Sequence, residues 1–346
     1  MKKYTIKDIA KLAGVSKGTV DRVLHKRGKV SKKALDKVNK ILKEIDFQPN
    51  PIARNLKNNK IYQICVVIPN PNEDVFWQPC IDAVNEAIEE FKAFGISIQP
   101  YFYSPSSTES FINVNKEIIQ ISPDAVLLSP LFYKESIDAA KQYTAASIIV
   151  SSFNNQIDSE QIGSFVGQNL YQSGRVAAKL MNTITKDGSK ILIVHIDEVI
   201  HNALHMQKKE KGFRNYFEEL ENENYELTTF NVIQSELNTL LPAFLNMQKN
   251  VSGIFVTTSK AYKIVETLKN INYNNINIIG YDLLPKNINY LENNIIKFLI
   301  NQNPKMQTYI SLTYLVEHFL FSKEIPLQKL LPIDIINSEN VKSYIL

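Results

Sequence analysis

Hydrophobic residues in the first 50 positions recur at the spacing of an α-helix, in three separate stripes. Residues three, four and seven positions apart share one helical face, so each stripe predicts an amphipathic helix. The stripes are Ile6, Ile9, Ala10 and Ala13; Val20, Val23 and Leu24; and Ala34, Val38, Ile41, Leu42 and Ile45. Gly14 adopts a positive φ at low cost, which favours a sharp turn after the first stripe. Ser16 and Ser31 are suited to cap the next two helices. The pattern predicts a small three-helix core whose first two helices form a helix-turn-helix.

Beyond residue 60, short apolar runs alternate with amphipathic stretches. The runs predicted as buried strands are 64–68, 125–128, 148–150, 191–194, 253–256 and 276–279. The stretches predicted as helices are 77–94, 108–121, 169–186, 205–220, 234–249, 259–270 and 304–322. Strand followed by helix, repeated, predicts an α/β fold with parallel sheets and right-handed crossovers. About eleven strands are too many for one twisted sheet, so we expect two α/β lobes with a cleft between them.

Charge divides the chain at the same place. Residues 1–60 hold 17 of the 39 Lys and Arg but 5 of the 35 Asp and Glu, a net charge of +12. The remaining residues hold 22 and 30, a net charge of −8. A basic head attracts nucleic-acid phosphates, whereas a lysine-rich solvated helix face is the alternative reading of the charge alone. The helix-turn-helix pattern favours DNA.

The outer face of the second predicted helix carries the candidate DNA contacts. In a helix-turn-helix this helix enters the major groove, where its N-terminal residues reach base edges. Lys17 and Gly18 lie at that end, and Arg22 is the candidate for a bidentate contact with guanine. Ser16 and Thr19 are expected to contact phosphates, which position the head without specifying sequence.

Residues 50–60 look like a linker that becomes helical only against another surface. Asn50 is a good N-cap and Pro51 suits the first helical position. The segment is too short to form a stable helix alone.

The run from Thr5 to Leu24 follows the pattern T-I-x-D-I/V-A-x-x-A-G-V-S-x-x-T-V-x-R-V-L along its whole length. Residues 4–60 therefore resemble the DNA-binding head of the lac-repressor (LacI) family. The resemblance implies a hinge helix over residues 52–57 that folds on operator binding, with Leu56 side chains wedged into the minor groove to bend the duplex. The alternative is that Leu56 packs against the body. The DNA contacts that the resemblance implies are Tyr4, Thr5, Ser16, Lys17, Gly18, Thr19, Arg22, Lys29, Ala53, Arg54, Leu56 and Lys57.

The head departs from the family pattern at Asp21, where many members carry Ser. A carboxylate there repels phosphate unless it pairs with Arg22 or Lys17, or accepts from a cytosine amino group. Gly18 is also short for a base-reading position. We therefore expect the usual docking with an operator sequence of its own.

The body resembles the type I periplasmic-binding-protein fold, in its ribose-binding-like branch. The motifs that carry the resemblance are Val67-Ile68-Pro69-Asn70 with Phe76-Trp77, Phe165-Val166-Gly167-Gln168-Asn169 with Gly174-Arg175, Lys211-Gly212-Phe213-Arg214, Ile279-Gly280-Tyr281-Asp282 and Asn301-Gln302-Asn303-Pro304. In that family two lobes close on a small ligand, a sugar or a nucleobase-like molecule, beyond the carboxyl ends of the strands. The effector contacts implied by position are Asn70, Phe76, Trp77, Asn154, Gln207, Thr258, Asp282 and Gln302. For Trp77, the single tryptophan, packing in the core is the alternative to lining the pocket.

Three departures from the family change the expected ligand. Asn154-Asn155 stands where sugar binders often have Asp-Arg, and Thr258-Ser259 stands where Asn-Asp often follows a strand. The stretch 205–209 has no Arg, and Lys does not replace the bidentate geometry of Arg. We therefore expect a neutral sugar or sugar derivative rather than a phosphorylated effector.

Other chemistries lack their sequence signals. No phosphate loop, dinucleotide-binding glycine motif, nucleophile elbow or H-E-x-x-H motif occurs. His201 and His205 have a spacing that suits zinc ligands, but no acidic or Cys partner completes a site, and a polar pair is the simpler reading. Cys65 and Cys80 are expected to be reduced core residues. No signal peptide or membrane span is found, which favours a cytoplasmic protein. We expect no catalytic residues, metal or cofactor.

The sequence thus predicts a LacI-type transcriptional regulator, a repressor that binds a pseudo-palindromic operator as a homodimer or higher oligomer under control of an effector. The alternatives are an enzyme or a sugar receptor built on the same body. The expected divisions are a DNA-binding domain at 1–49, a hinge at 50–60 and an effector domain at 61–346. Its lobes are expected to be about 61–164 with 295–323, and 165–290 with 327–346.

Overall fold

The computed structural model describes residues 4–24, 27–45, 47, 60–157, 159–197, 204–220, 225–248, 250–271 and 276–345. The chain divides into two compact units, Met1–Asn59 and Lys60–Leu346. The proposed hinge contacts Ala53, Arg54, Leu56 and Lys57, together with His25 and His201, lie outside the described residues.

The described part of the first unit contains three helices around one small core. They are α1 (Ile6–Ala13), α2 (Lys17–Leu24) and α3 (Lys32–Glu44). Thr5 and Asp8 form a capping box at the start of α1, and Gly14 ends that helix at φ 63°. The Ser16 hydroxyl accepts the Thr19 N–H at 3.1 Å, which caps α2. The fully buried residues are Ile9, Val20 and Val38. These observations confirm the helix-turn-helix predicted from the hydrophobic stripes.

The second unit is an α/β body, which confirms the predicted fold class. Its strands are β1 (Tyr62–Pro69), β2 (Ile96–Tyr103), β3 (Ala125–Leu128), β4 (Ile149–Asn154), β5 (Ser164–Gly167), β6 (Lys190–Ile196), β7 (Glu226–Val232), β8 (Val251–Val256), β9 (Asn277–Tyr281), β10 (Ile296–Asn301), β11 (Gln328–Leu330) and β12 (Asp334–Ile336). Its helices are α4 (Gln78–Phe91), α5 (Thr108–Ile121), α6 (Tyr133–Ala145), α7 (Leu170–Ile184), α8 (Leu204–Glu218), α9 (Leu237–Met247), α10 (Ala261–Asn270), α11 (Pro285–Glu292) and α12 (Pro304–Phe321). No helix among the described residues has the length and apolar character needed to cross a membrane.

The strands form two six-stranded sheets, one in each lobe of the body. The first has the order β11-β5-β4-β3-β1-β2, and the second has the order β12-β10-β9-β8-β6-β7. All pairings are parallel except that of β10 with β12. Helix α12 packs on the first sheet through Leu312, Leu315 and Val316, which share a core with β1.

The strand pairing moves the expected lobe boundaries. Strand β10 was expected in the first lobe, but it pairs with β9 and belongs to the second. Strand β11 and most of strand β5 were expected in the second lobe. However, β5 pairs with β4 and β11 pairs with β5, so both strands belong to the first lobe. The chain therefore crosses between lobes after Gly167, after Asn301 and after Leu330. The lobe of each segment depends on hydrogen bonds between strands distant in sequence, which apolar runs alone do not reveal.

Candidate functional site

The exposed face of α2 presents the residues expected to contact DNA. Lys17, Gly18 and Arg22 are exposed, whereas Val20 and Val23 on the opposite face are buried. A β-carbon at Gly18 would meet nothing closer than the Ser16 hydroxyl at 3.8 Å. Packing within the head therefore does not require a glycine at this position.

The other predicted contacts on the described part of the head lie around this helix. Ser16 and Thr19 are joined by a hydroxyl–hydroxyl hydrogen bond of 3.0 Å at the start of α2. Tyr4 and Thr5 lie at the start of α1, and Lys29 lies exposed in the segment before α3. These side chains carry hydroxyl or ammonium groups, which are donors of the kind that bind phosphates.

A cleft of about 640 Å³ opens between the two sheets of the body. Part of its polar lining comes from residues that end strand β4 or directly follow strands β6, β8, β9 and β10. In parallel α/β sheets the carboxyl ends of strands meet at such a crevice, where ligands bind. Six of the eight predicted effector contacts line it: Phe76, Trp77, Asn154, Thr258, Asp282 and Gln302.

Asn70 and Gln207 do not line the cleft, which corrects two expected positions. The Asn70 side chain closes the turn after β1, where it donates to Glu73 at 3.1 Å and accepts the Asn72 N–H at 3.1 Å. Gln207 lies on the exposed face of α8. The neighbouring helix positions His205 and Lys209 face the cleft instead.

An aromatic wall forms the first lobe's side of the cleft. Asp74 accepts the Phe76 N–H at 3.0 Å and so caps the short turn that carries Phe76 and Trp77. The two rings meet edge to face at 4.8 Å between centroids, and Trp77 meets Phe153 at 6.4 Å. Trp77 is 2% exposed. It therefore packs in the core of the lobe and also lines the cleft, and its contact with an effector stays a prediction.

Asp282 and Gln302 form a doubly hydrogen-bonded polar pair in the cleft. Asp282 adopts φ 64° directly after β9 and is 2% exposed. Gln302 donates to it twice, from its backbone N–H at 3.0 Å and from Nε2 at 2.7 Å. Burial raises the pKa of Asp282 from 3.8 to about 6, although the positive charge of Lys209 and both Gln302 hydrogen bonds oppose the rise. The carboxylate is held in one orientation with lone pairs left for a ligand hydroxyl.

Lys209, which the sequence analysis missed, is a buried cation beside this pair. It is 2% exposed, its Nζ donates to the Thr257 carbonyl at 3.0 Å, and it lies 3.7 Å from the centre of the Tyr281 ring. Ser173 holds that tyrosine through a hydroxyl–hydroxyl contact of 2.8 Å. The ammonium is thus satisfied by a carbonyl, an aromatic face and the charge of Asp282.

Beneath Lys209, a hydrogen-bonded network fixes the end of β8. His195 Nδ1 lies 2.7 Å from the Thr257 hydroxyl, and His195 Nε2 lies 2.6 Å from Glu210. Glu210 also accepts from Arg214 at 2.7 Å. Although burial works against ionisation, hydrogen bonds from His195, Thr229 and Arg214 lower the pKa of Glu210 to about 2. The network keeps Thr257 in place as the acceptor for Lys209.

Asn154 supplies an unused donor to the cleft. It ends β4 at φ 67° and is 6% exposed. Its Nδ2 has no hydrogen-bond partner among the described residues. A buried amide without a partner costs free energy, and an acceptor on a bound ligand would remove that cost.

Metal-ligating side chains do not cluster among the described residues, and both cysteines are buried. No cluster of three His, Cys, Asp or Glu side chains suited to a metal ion occurs in the described ranges. Cys65 and Cys80 are free thiols in the core. Burial raises the pKa of Cys65 to about 11 and that of Cys80 to about 12.

Two family profiles match adjoining parts of the chain. Bacterial regulatory proteins of the lacI family match residues 5–50, and the periplasmic binding protein domain matches residues 64–323. The chain is 33% identical to the NTD biosynthesis operon regulator NtdR of Bacillus subtilis over 129 residues, which span 37% of each protein. It is 26% identical to the ribose operon repressor of Halalkalibacterium halodurans over 290 residues, 81% of each.

A solved structure extends the comparison to the fold. A protein described as a LacI transcriptional regulator from Bacteroides fragilis superposes with a TM-score of 0.77 at 26% identity. The superposition covers 82% of this chain and 100% of the other. The likeness extends along most of the chain.

Proposed function

Because the chain belongs to the LacI family of bacterial regulatory proteins and carries a periplasmic binding protein domain, we propose that it regulates transcription as a homodimer on a pseudo-palindromic operator. The effector that controls it is a neutral sugar or sugar derivative bound in the cleft. Its relatives are operon regulators and repressors by name, not enzymes. A regulator of this kind works where the chromosome is, so we infer a cytoplasmic protein.

One helix-turn-helix supports the dimeric part of the proposal. A single recognition helix reads only one half-site, and proteins with this motif pair to bind two half-sites related by two-fold symmetry. Arg22 and Lys17 would contact bases in each half-site. Leu56, by the family resemblance, would wedge into the minor groove at the centre of the operator. A higher oligomer built from such dimers would keep the same two-fold symmetry in each pair.

The observation that carries the effector part is the polar cleft with its aromatic wall. Phe76 and Trp77 offer apolar faces, and Asp282 and Asn154 offer an oriented acceptor and an unpaired donor. This mixture suits a polyhydroxylated ring. Among the described residues, four carboxylates and two ammonium groups line the cleft: Glu73, Asp74, Asp197, Asp282, Lys209 and Lys260. The excess of carboxylates over ammonium groups disfavours a phosphorylated effector.

A selection from random DNA tests the operator. We expect the purified full-length protein to enrich a motif with two inverted half-sites. Replacing Leu56 by Ala should weaken binding to the enriched DNA while leaving effector binding unchanged. Enrichment of single, unpaired half-sites would contradict the dimer, and unchanged operator affinity of the Leu56→Ala variant would contradict the wedge.

Trp77 makes the effector directly measurable. It is the single tryptophan and lies on the cleft wall, so its emission should change when a ligand enters. A panel of pentoses, hexoses, disaccharides and inositols, each beside its phosphate ester where one exists, tests the ligand class. Melting temperature gives a second readout, because a ligand bound only by the folded state raises it. Preference for a phosphate ester over the parent sugar would overturn the neutral-ligand assignment.

A further inference from the structure

An ion pair crosses the mouth of the cleft from one lobe to the other. Lys260 follows β8 in the second lobe, and its Nζ lies 2.8 Å from Asp197 in the same lobe. The same Nζ lies 4.0 Å from Asp74, which follows β1 in the first lobe. All three side chains are between 18% and 29% exposed. One ammonium is therefore shared by carboxylates from both lobes, at a partly desolvated position.

The first-lobe end of this bridge is built into the aromatic wall. The other oxygen of the Asp74 carboxylate accepts the Phe76 N–H, and the Asp74 backbone carbonyl accepts the Trp77 N–H at 3.1 Å. A force on Asp74 is therefore transmitted to the turn that presents both rings to the cleft. The charge of Asp74 also reaches the second lobe, where it opposes ionisation of Asp282 and of Tyr262.

The second-lobe end of the bridge is also held by hydrogen bonds. Asp197 adopts φ 67° after β6 and accepts the Gln234 N–H. The Lys260 N–H contacts the Thr258 hydroxyl at 3.4 Å. Thr258, Asp197 and Lys260 all line the cleft. The loops that form the second lobe's side of the cleft therefore direct the Lys260 ammonium toward the first lobe.

We propose that Asp74 and Lys260 form an electrostatic latch that holds the two lobes together and so sets the affinity of the cleft for its effector. A ligand enclosed between lobes binds the closed arrangement, and its apparent affinity falls in proportion to the fraction of protein that is closed. Asp74 and Lys260 then act as positioning residues. This inference depends on the proposed function only for what the cleft binds, since the latch can be measured without any effector.

The size of the effect follows from the exposure of the pair. Solvent-exposed ion pairs change an equilibrium by about two- to fivefold, and side chains that are 18% to 29% exposed are open enough to solvent for that range to serve here. Salt weakens such pairs, because the screening length shrinks from about 20 Å at low ionic strength to a few ångströms at high ionic strength. The ratio of closed to open protein should therefore fall by about two- to fivefold when Lys260 loses its charge, and by a similar factor in high salt.

Two exposed apolar residues at the rim allow the lobes to be labelled. Val75 of the first lobe is 53% exposed, Ile233 of the second is 52% exposed, and both line the cleft. The native Cys65 and Cys80 are fully buried, so spin labels would react at the introduced thiols of a Val75→Cys, Ile233→Cys protein. Double electron–electron resonance then gives the distribution of distances between lobes in the full-length chain without ligand.

Four proteins separate the latch from a general loss of stability. In the labelled background, Lys260→Met should shift the distribution to longer distances, and Lys260→Arg should restore it because it keeps the charge. Asp74→Asn should match Lys260→Met, since Asn can still cap the Phe76 turn through its side-chain oxygen. Lys286→Met is the matched control, because it removes a lysine that pairs with Glu266 within one lobe.

Salt provides a second test of the same ion pair. Raising NaCl from about 20 mM to about 500 mM should lengthen the distances in the unsubstituted latch and leave those of Lys260→Met unchanged. The latch is overturned if Lys260→Met and Asp74→Asn keep the original distribution, if Lys286→Met changes it equally, or if salt has the same effect with and without Lys260. Failure to find an effector would leave these results valid and would bear only on the proposed function.

Discussion

Gly174 lies so close to Lys209 that a β-carbon on Gly174 would stand 1.9 Å from the Lys209 carbonyl oxygen. Gly212 makes the reciprocal approach, since its β-carbon would stand 1.9 Å from the Tyr171 carbonyl oxygen. Helices α7 and α8 therefore touch through their backbones at these two glycines. Because Lys209 carries the buried ammonium of the cleft, this contact fixes where that charge sits.

Gly174→Ala should destabilise the body by forcing these helices apart. Overpacking of this kind costs about 1–3 kcal/mol, measured as a loss in the free energy of unfolding in urea. Gly163→Ala is the control, because its β-carbon would meet only the Val150 carbonyl oxygen at 3.4 Å. Equal unfolding free energies for the two variants would contradict backbone contact between α7 and α8.

The effector affinity should fall in acid as Asp282 takes up a proton. Burial holds the pKa of Asp282 at about 6, above its ordinary value of 3.8, so the carboxylate proposed to accept a ligand hydroxyl is present above that pH and lost below it. Linkage to one proton weakens binding by about tenfold for each pH unit below the pKa. Trp77 emission gives the affinity at each pH. The Asp282→Asn variant should bind weakly with no pH dependence from this group, and wild-type affinity that is constant from pH 7 to pH 5 would contradict the role of Asp282.

Lys209→Met should move this pH dependence to higher values. The positive charge of Lys209 opposes the rise in the pKa of Asp282, so its removal lets the pKa rise further and the carboxylate is lost at a higher pH. Lys211→Met, at an exposed position of the same helix, serves as the control. An unchanged midpoint in Lys209→Met would show that the two side chains do not interact in solution.

Helical periodicity could have identified Lys209 from the sequence. Met206, Gly212, Phe213 and Phe217 form the buried face of α8, and position 209 falls on that face while Gln207 falls opposite. Gln207 was expected instead because of its position in the family resemblance. A lysine on the apolar face of a helix is unusual. It indicates an ammonium that is buried beside a partner, because a buried charge without compensation costs much free energy.

Other parts could not be derived from local patterns. Strand β2 alternates buried and exposed residues around a proline, so it lacks the continuous apolar run that identified β1. The same holds for β7, whose first residues are exposed or half-buried. The bridge from Asp74 to Lys260 joins residues 186 positions apart, and only the closure of the lobes brings them together. The helix-turn-helix, by contrast, is built from contacts within 40 residues, which is why its stripes, cap and turn predicted it well.

Arg22 and Lys29 should separate base reading from phosphate binding in the head. Both are exposed, but Arg22 lies on the recognition helix and Lys29 lies beyond it. Arg22→Ala should weaken the selected operator by about 1–3 kcal/mol and relax the preference at one base pair. Lys29→Ala should weaken all sequences alike and reduce the slope of log affinity against log salt by about 1. Fluorescence anisotropy on the selected operator, on a variant of it and on unrelated DNA measures all three quantities. A uniform loss for Arg22→Ala, with a smaller salt slope and unchanged preference, would assign Arg22 to the phosphates instead.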